Sequence, residues 1–366
     1  MVDVTVMGAG VFGLCIAWCC AMRGARVQVI DPGGIGAGAS GGVVGALAPH
    51  VPENWNARKA FQLRSLLRAG SFWSQAEAAA GGVSSGYARI GRLQPIANSR
   101  EHALAQARAK TAELYWRGQA HWRVIAAKHE ENWGLHSAEG SVIYDTLSAR
   151  IHPRRACQTL AAAICRHGGA IVGAAQPRGR IVWATGWRGL QEITQSPECG
   201  VKGQAVLLQL DRRQAPQLFV NALHVVPHAD GTVAVGSTSE RRFDAPESVD
   251  ARLDHLLEHA RAAVPALRAA PVIARWAGVR PRTKSRAPML GRHPLRKGEF
   301  IANGGFKIGF GIAPEVGEVM ADLILQDRHR IPEAFAPESC VSSGDGALCL
   351  QAKSRTKVMD TKADAL

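Results

Sequence analysis

The sequence predicts an α/β protein with two domains, one built on a parallel sheet and the other an α+β domain built on an antiparallel sheet. The first 31 residues read as strand, glycine turn, helix and strand, which is a β-α-β unit. Residues 206–237 contain three short strands separated by turn residues, which is typical of an antiparallel sheet. The 366 residues, 46% of them hydrophobic, are enough for about two domains with a large buried core.

The β-α-β unit is predicted from the order of its apolar runs and its turn residues. A buried strand over residues 2–7 leads into a glycine turn, and an apolar helix over 14–23 ends at Gly24. A second strand over 26–30 ends at Asp31. We therefore expect the glycine turn and Asp31 to lie at the same edge of a parallel sheet.

Each glycine of this turn has a separate task in binding a dinucleotide. Gly8 permits the tight turn, Gly10 lets a pyrophosphate approach the backbone, and Gly13 lets the helix lie close to the strand. The helix N-terminus offers free N–H groups to phosphates. Asp31 follows Gly13 by 18 residues, where a carboxylate accepts hydrogen bonds from ribose hydroxyls. The predicted dinucleotide-binding residues are Gly8, Gly10, Val11, Phe12, Gly13 and Asp31.

A long segment of small residues, 32–47, follows Asp31 and favours FAD over a nicotinamide cofactor. A nicotinamide-binding fold would begin another α/β repeat here, whereas small residues let the backbone lie flat against a bulky planar ligand. The alternative is a flexible surface linker. In the first interpretation Ala39, Ser40, Gly45 and Ala46 contact the cofactor.

The rest of the chain alternates helix and strand patterns. Helices are predicted over 57–80, 101–130, 156–167, 249–264 and 314–326. Strands are predicted within 87–97, over 181–186 ending at Gly186, and over 206–210, 218–226 and 232–237. A glycine turn is predicted at 300–305, and residues 339–366 are polar and patternless, which predicts a disordered tail.

The chain is strongly basic, with a formal net charge of +14. The basic residues are 34 Arg and 10 Lys, a ratio that a GC-rich genome also produces, so the total charge is weak evidence for nucleic acid. One cluster stands out, because eight basic residues occur between 275 and 297 with no Asp or Glu among them.

The eight cysteines include no C-x-x-C pair, so we expect buried thiols in a reducing compartment and no metal site. The chain enters a strand directly after Met1 without a positively charged leader. The apolar run over 14–22 is too short to span a bilayer. These observations predict a cytoplasmic protein without a membrane span.

Three segments resemble the glycine oxidase and D-amino-acid oxidase family of FAD enzymes, over about residues 2–335. The first is the β-α-β unit with the small-residue segment, and the second is 224–238. The third is Trp276-Ala277-Gly278-Val279-Arg280-Pro281 continued to Pro314. The resemblance implies a Rossmann-like FAD-binding domain (GR2-type) with a discontinuous α+β substrate domain. The FAD-binding domain would comprise 1–50, 150–200 and 275–335, and the substrate domain 51–149 and 201–274.

The resemblance also implies roles for residues of the second and third segments. Arg280 stands where the family's arginine grips the substrate carboxylate, and a guanidinium binds a carboxylate through two parallel hydrogen bonds. Lys307 stands where glycine oxidases have an arginine, and a cation there would stabilise the negative charge of the reduced flavin. His224 stands where they have a tyrosine over the substrate. The turn facing the flavin ring would comprise Gly305, Phe306, Lys307, Ile308 and Gly309.

The leading hypothesis is an FAD-dependent oxidoreductase that oxidises the C–N bond of a small amino acid or secondary amine by hydride transfer to flavin N5. The first alternative is a flavin oxidase acting on a carboxymethylaminomethyl-uridine in tRNA, which the basic cluster favours. The second is a non-catalytic flavin-binding subunit. It is suggested by His224 and by the 13 residues between Gly169 and Trp183, where the family has several more strands.

Overall fold

A computed structural model of the chain describes residues 1–127, 133–135 and 137–340. The helices described are α1 (Val11–Ala21), α2 (Ala57–Ala79), α3 (Ser99–Trp116), α4 (Pro153–Arg166), α5 (Gly186–Thr194), α6 (Ala251–Ala263), α7 (Gly309–Gln326) and α8 (Pro337–Cys340). Of the predicted tail, residues 339 and 340 belong to α8, and 341–366 lie outside the described residues.

Sixteen strands accompany these helices in the described part of the chain. They are β1 (Val4–Met7), β2 (Val27–Ile30), β3 (Ala46–Leu47), β4 (Arg92–Pro95), β5 (Trp122–Ala126), β6 (Ser141–Asp145), β7 (Ala149–Arg150), β8 (Ala170–Val172), β9 (Arg180–Trp183), β10 (Gly200–Gln209), β11 (Gln217–Val220), β12 (Leu223–Pro227), β13 (Thr232–Gly236), β14 (Val272–Pro281), β15 (Met289–Arg292) and β16 (Phe300–Asn303).

The first sheet has six strands in the order β15-β16-β9-β1-β2-β8 and is parallel except for its edge strand β15, which runs antiparallel to β16. Its central strand β1 pairs in parallel with both β2 and β9, so that Met7 lies opposite Ile30 and Trp183. The carboxyl ends of these strands therefore meet at one edge, and Gly8, Asp31 and Ala184 come directly after them. The predicted fold class and the predicted parallel sheet are confirmed.

The second sheet has eight strands in the order β14-β10-β13-β12-β11-β4-β6-β5. Its neighbours pair antiparallel, except that β4 and β11 run parallel. The long pair β10 and β14 places Arg280 opposite Val201. Because β14 is continuous from Val272 to Pro281, this sheet extends past residue 275, where the sequence analysis places a domain boundary.

Two predicted elements are each divided in the structure. The predicted helix 101–130 ends at Trp116, because Arg117 takes a left-handed conformation (φ 49°) and Gly118 continues it (φ 73°). Strand β5 then pairs with β6. The predicted strand 218–226 is a hairpin of β11 and β12, which turns at Asn221 and Ala222 with positive φ angles of 49° and 62°.

The closing helix α7 begins at Gly309, five residues before the predicted start at Pro314. Pro314 therefore lies inside the helix, where it lacks the N–H that would bond the preceding turn. Helix α7 packs against α1, all of whose residues are buried. A Cβ at Gly317 of α7 would lie 2.8 Å from the Cys15 carbonyl oxygen, so glycine lets the two helices approach closely.

Six cysteines are free thiols, and five of them are buried as expected: Cys15, Cys19, Cys20, Cys157 and Cys199. Cys165 is exposed, so its predicted burial is wrong; it lies on the side of α4 that faces solvent. Among the described residues no helix has the length and apolar character needed to cross a membrane. The cytoplasmic location stays a prediction from cysteine usage.

Candidate active site

A cavity of about 1020 Å³ is lined by residues at the carboxyl edge of the parallel sheet and by residues of β10, β12 and β14 in the antiparallel sheet. One end is formed by the glycine turn after β1 and by Asp31. The other end contains the side chains of His224, Arg280 and Lys307. All predicted cofactor-binding residues except Gly13 line it: Gly8, Gly10, Val11, Phe12, Asp31, Ala39, Ser40, Gly45, Ala46, Gly186, Gly305, Phe306, Lys307, Ile308 and Gly309.

The three glycines of the first turn meet different neighbours. Gly8 has a φ of +113°, and a Cβ there would overlap the Ala184 carbonyl oxygen at the end of β9. A Cβ at Gly13 would overlap the Gly8 carbonyl oxygen, so Gly13 serves helix packing, as predicted. A Cβ at Gly10 would meet only the Ser40 hydroxyl oxygen, 3.3 Å away, and would otherwise fill space in the cavity.

Asp31 and Ser40 organise the backbone around this turn. The two carboxylate oxygens of Asp31 accept hydrogen bonds from the N–H groups of Ala9 (2.8 Å) and Gly33 (2.9 Å). The Ser40 hydroxyl accepts a hydrogen bond from the Val11 N–H (3.0 Å) at the start of α1. Each Asp31 oxygen keeps a further lone pair for a ribose hydroxyl. The support that Asp31 gives to the glycine turn itself was not predicted.

The small-residue segment is packed into the fold, so the surface-linker alternative is wrong. Strand β3 pairs with β7, with Ala46 opposite Arg150. A Cβ at Gly45 would overlap the Ile151 carbonyl oxygen, and one at Gly42 would lie 3.3 Å from the Trp276 ring. Backbone is thus held against the cavity wall at these glycines.

These residues fit a bound FAD. The cavity is long, it carries a helix N-terminus and a carboxylate at one end, and it is open above Gly10, where a side chain would fill the space of a pyrophosphate. We expect the glycine turn and Ser40 to hold the pyrophosphate and Asp31 the ribose.

The turn before α7 closes the cavity on the other side. Gly304 and Phe306 have positive φ angles of 75° and 42°. A Cβ at Gly305 would lie 2.8 Å from the Phe12 ring, so glycine is required for this close approach between the turn and α1. The Phe306 N–H donates to the Pro281 carbonyl (3.0 Å), which ties the turn to the end of β14. Arg280 and Lys307 are thereby brought to one end of the cavity.

Arg280 projects from β14 into the cavity. Its guanidinium donates to the Ser237 hydroxyl and to the Thr238 carbonyl (3.3 Å), which leaves three of its five N–H groups for a ligand. Burial lowers the pKa of Arg280 to about 10, so the side chain stays charged at neutral pH. Within the described residues no carboxylate forms an ion pair with it. The cation is held in place without an anionic partner.

A residue that the sequence analysis missed makes room for this guanidinium. A Cβ at Gly203 of β10 would overlap the Nη2 and Cζ atoms of Arg280. Gly203 lies opposite Gly278 on the neighbouring strand β14. A glycine in the interior of a long buried strand is the signal for such a close approach, but its partner cannot be identified without the strand register.

His224 lies beside the cation on β12. Burial, and then the charges of the nearby Arg92, Lys307 and Arg280, lower the pKa of His224 to about 3, so the imidazole is neutral. Its Nδ1 atom is buried without a hydrogen-bond partner. The ring packs against Phe219, with ring centroids 4.8 Å apart. The neutral ring of His224 lines the cavity, whereas its Nδ1 atom is buried.

Lys307 is more exposed than Arg280 and lines the same cavity. Burial and the charges of Arg280 and Arg286 lower its pKa. No ion pair to Lys307 is formed within the described ranges. Its ammonium lies 5.7 Å from the centroid of the Phe306 ring.

The start of helix α5 forms a part of the cavity wall. Of its residues, only Gly186 was predicted to bind the cofactor. Gly186 has a φ of +63°, and its carbonyl accepts a hydrogen bond from the Asn303 side chain (2.8 Å). Thr185, Trp187 and Arg188 also line the cavity. A second helix therefore directs its N-terminus at the cofactor end.

The basic cluster is divided among several environments. Of its eight residues, Arg280 lies in the cavity and Arg296 stacks on the Trp183 ring, while Arg275 pairs with Asp254 and Arg292 with Asp327. These four side chains therefore do not form one continuous charged surface. Within the described ranges, no group of three or more His, Cys, Asp or Glu side chains is arranged to hold a metal ion.

Comparison with known proteins identifies the family. The family model described as FAD dependent oxidoreductase (DAO) matches residues 3–323. The bifunctional protein ThiO/ThiG of Nostoc sp. (strain PCC 7120) is 26% identical over 356 residues, 89% of this chain and 53% of that protein. The glycine oxidase of Geobacillus kaustophilus is 26% identical over 377 residues, 88% of this chain and 92% of that protein.

Among solved structures, iminodiacetate oxidase from Chelativorans sp. BNC1 has a TM-score of 0.79 at 21% identity and covers 92% of this chain and 99% of that chain. At this identity the similarity shows the fold. This chain spans about half the length of the bifunctional relative and nearly all of the glycine oxidase. The cavity, the glycine turn and the family match lead to one conclusion: the chain belongs to the DAO family of FAD-dependent oxidoreductases.

Proposed function

We propose that the protein oxidises the C–N bond of a small amino acid or secondary amine whose carboxylate is bound by Arg280. The observation that carries this proposal is the guanidinium of Arg280, which is charged, fixed by two hydrogen bonds and without an anionic partner in the described cavity. Relatives named glycine oxidase and a structural neighbour named iminodiacetate oxidase support the substrate class.

The side chains at this end of the cavity suffice to orient such a substrate. Ser237 and Thr238 hold the guanidinium, so that its free N–H groups bind the carboxylate through charged hydrogen bonds. The neutral imidazole of His224 lines the same end of the cavity and adds no charge beside the substrate amine. Phe219 and Trp276 exclude water beside the Cα–N bond.

The reaction removes two electrons and two hydrogens from the substrate, one as a hydride from Cα and one as a proton from nitrogen. Bound FAD supplies the acceptor for the hydride. The Cα–N bond becomes an imine, which water hydrolyses to an oxo acid and either ammonia, from a primary amino acid, or an amine, from a secondary one. Lys307 lines the same end of the cavity, and its positive charge would stabilise the negative charge of the reduced flavin.

The decisive experiment compares Arg280→Ala and Arg280→Lys with wild type in anaerobic flavin bleaching by glycine, sarcosine, proline and D-alanine. We expect Arg280→Ala to lower kcat/KM at least about tenfold. Arg280→Lys should restore part of the lost kcat/KM, because lysine restores the positive charge but cannot form two parallel hydrogen bonds to a carboxylate. FAD content should remain near normal. The matched control is Arg292→Ala, which removes a surface ion pair with Asp327. Unchanged bleaching in Arg280→Ala would contradict the proposal.

A carboxymethylaminomethyl-uridine of tRNA is the second candidate, favoured by the eight basic residues between 275 and 297. Against it, four of them are engaged in the cavity, in a stacking contact or in ion pairs. If tRNA bound with an affinity that fell steeply with salt, and free amines failed to bleach the flavin, this candidate would replace the first. The non-catalytic alternative is not retained, because the family matched is one of oxidoreductases.

A further inference from the structure

A network of buried polar side chains lies behind Arg280, on the opposite face of β10. Lys202 and Gln204 flank Gly203 on this strand. Because side chains alternate along a strand, they point away from the guanidinium of Arg280, which lies on the Gly203 face. Lys202, Gln204 and Glu240 are each almost fully buried. None of these three side chains lines the cavity, and the proposed function gives them no task.

The carboxylate of Glu240 is the centre of this network. It accepts hydrogen bonds from the Gln204 amide (2.9 Å) and the Arg252 guanidinium (2.6 Å). The Lys202 ammonium lies 3.9 Å from a carboxylate oxygen of Glu240. Burial alone would raise the pKa of this carboxyl, but hydrogen bonds from Thr238, Gln204 and Arg252 hold the pKa below its ordinary value. The carboxylate is therefore ionised at neutral pH.

The segment that carries Glu240 is also held along β10 by its backbone. Glu240 and Lys202 each donate a backbone N–H to the other's carbonyl, at 2.9 Å. The Thr238 N–H donates to the Gln204 carbonyl (3.2 Å), and the Gln204 N–H donates to the Thr238 hydroxyl (2.8 Å). These bonds continue the pairing with β10 beyond the end of β13. The position of this segment thus depends on backbone and side-chain contacts with β10.

Thr238 joins the network to Arg280. Its hydroxyl donates to the Glu240 carboxylate, and its carbonyl accepts a hydrogen bond from the Arg280 guanidinium (3.3 Å). The neighbouring Ser237 hydroxyl accepts a further hydrogen bond from the guanidinium. These two acceptors of Arg280 therefore belong to the segment that Glu240 holds. Burial lowers the pKa of Arg280, and the negative charge of Glu240 partly offsets this effect.

We propose that Glu240 is a positioning residue for the oxidation, because through Thr238 it holds the guanidinium of Arg280 in the orientation that binds the substrate carboxylate. This inference rests on the proposed function, in which Arg280 binds that carboxylate. Two parallel hydrogen bonds to a carboxylate form only when the plane of the guanidinium is fixed. A displacement of about 1 Å at such a group costs up to about 100-fold in rate. A small movement of residues 237–238 is therefore sufficient to weaken substrate binding.

The first test is Glu240→Gln in the FAD-loaded protein. Glutamine keeps the shape of the side chain, but its amide presents N–H donors to groups that are themselves donors. We expect kcat/KM in anaerobic flavin bleaching by the best of glycine, sarcosine, proline and D-alanine to fall about fivefold or more, with normal FAD content. Acetate has the carboxylate but no amine to oxidise. Its affinity, measured as perturbation of the flavin spectrum, should weaken by a similar factor.

The second test is a double-mutant cycle with Arg280→Ala. Once the guanidinium is absent, Glu240→Gln should change kcat/KM and acetate affinity by less than about twofold. A merely structural role would lower both values equally in the two backgrounds. Thr238→Val removes the hydroxyl that binds Glu240 but keeps the carbonyl that binds Arg280. It should also lower kcat/KM only in the presence of Arg280, and it carries the comparison if Glu240→Gln does not fold.

The matched control is Asp322→Asn, which removes a buried carboxylate bonded to arginines outside this network. Urea unfolding should show a loss of stability in this variant. The kcat/KM of its FAD-loaded form should stay within about twofold of wild type, because distant sites act independently.

The outcomes separate this inference from the function on which it rests. Wild-type kcat/KM and acetate affinity in Glu240→Gln, with a clear loss in Arg280→Ala, would overturn the inference and leave the proposed function standing. Equal losses in the wild-type and Arg280→Ala backgrounds would assign Glu240 to the stability of the fold and would also overturn the inference. Unchanged bleaching in Arg280→Ala would overturn the proposed function and the inference together.

Discussion

At the scale of single residues, the site depends on glycines whose neighbours determine what they do. Gly13 and Gly8 face backbone of the fold itself, Gly10 faces the cavity, and Gly203 faces the guanidinium of Arg280. The same substitution to alanine should therefore affect folding, cofactor binding or substrate binding, according to which atom the new Cβ meets.

Gly203→Ala should displace Arg280, because the added Cβ overlaps the end of that side chain. A side-chain end moves cheaply, so we expect little loss of stability and normal FAD content, but weaker substrate binding and a raised KM in flavin bleaching, since a shift of about 1 Å costs up to 10²-fold. Gly173→Ala, which meets no atom within 4 Å, is the control. Normal KM and binding in Gly203→Ala would exclude a positioning role.

Gly10→Ala and Gly13→Ala should separate cofactor binding from folding. In Gly10→Ala the new Cβ meets only the Ser40 hydroxyl at 3.3 Å, so the apoprotein should keep its stability while FAD content falls sharply. In Gly13→Ala the Cβ overlaps backbone, and the free energy of unfolding should fall by about 1–3 kcal/mol. Urea unfolding of the apoproteins and flavin absorbance measure the two effects. Full FAD content in Gly10→Ala would argue against the pyrophosphate site.

At the scale of elements, α7 is held to α1 and α2 by apolar packing and by a network of charges. The carboxylates of Glu315 and Asp322 on α7 are almost fully buried. Glu315 is paired with Arg64 and Arg68 of α2, and Asp322 receives Arg23 and the two arginines after the helix, Arg328 and Arg330. The helix that follows the turn at residues 304–308 is thus fixed at several points.

Asp322→Asn should destabilise the fold more than removal of a surface pair. Burial alone would raise the pKa of Asp322, yet hydrogen bonds from Arg328 and Arg330 hold it below its ordinary value. Breaking this buried arrangement should lower the free energy of unfolding by about 3 kcal/mol. Asp327→Asn, which loses an exposed pair with Arg292, should cost less than about 1 kcal/mol. Equal unfolding midpoints for the two variants in urea would contradict the prediction.

At the scale of the whole molecule, a buried histidine connects the antiparallel sheet to the small-residue segment. His228 follows β12 and is 1% exposed. Its Nε2–H donates to the Val43 carbonyl (2.8 Å) in the small-residue segment. The ring of His152, at the start of α4, lies 4.8 Å away between centroids. The antiparallel sheet is thereby anchored to the backbone that we expect to contact FAD.

Acid should loosen this junction. Burial and then His152 lower the pKa of His228 to about 4, below the ordinary value of 6.5. The neutral form is favoured in the folded state, so its stabilisation is present above pH 6.5 and is lost as the pH falls from 6.5 towards 4. The loss should amount to roughly 1.4 kcal/mol per pH unit in that window.

Urea unfolding of the apoprotein at pH 7.5, 6 and 5 measures this dependence. His228→Gln keeps a side-chain N–H for the Val43 carbonyl but does not titrate, so its stability should depend less on pH than that of wild type. His255→Gln, at a strongly exposed position, is the control and should keep the slope of wild type. A slope unchanged in His228→Gln would assign the acid sensitivity to other groups.

The sequence by itself determined the β-α-β unit, the family resemblance and the cofactor. The sequence identifies Gly8, Gly10, Gly13 and Asp31 because the turn, the helix and both strands lie within 31 residues. Each glycine stands at a position where a side chain would clash with a neighbouring group or with the ligand. Helix α2 and strand β9 were predicted for a similar reason, because their apolar periodicity is strong.

Only the tertiary structure decided which side chains meet. The contact between Gly203 and Arg280 depends on the pairing of β10 with β14, two strands that are distant in sequence. Pairing likewise decided that Arg275 and Arg292 are neutralised while Arg280 is not. Periodicity and spacing report local preferences, whereas the environment of a charge is set by the long-range packing that surrounds it.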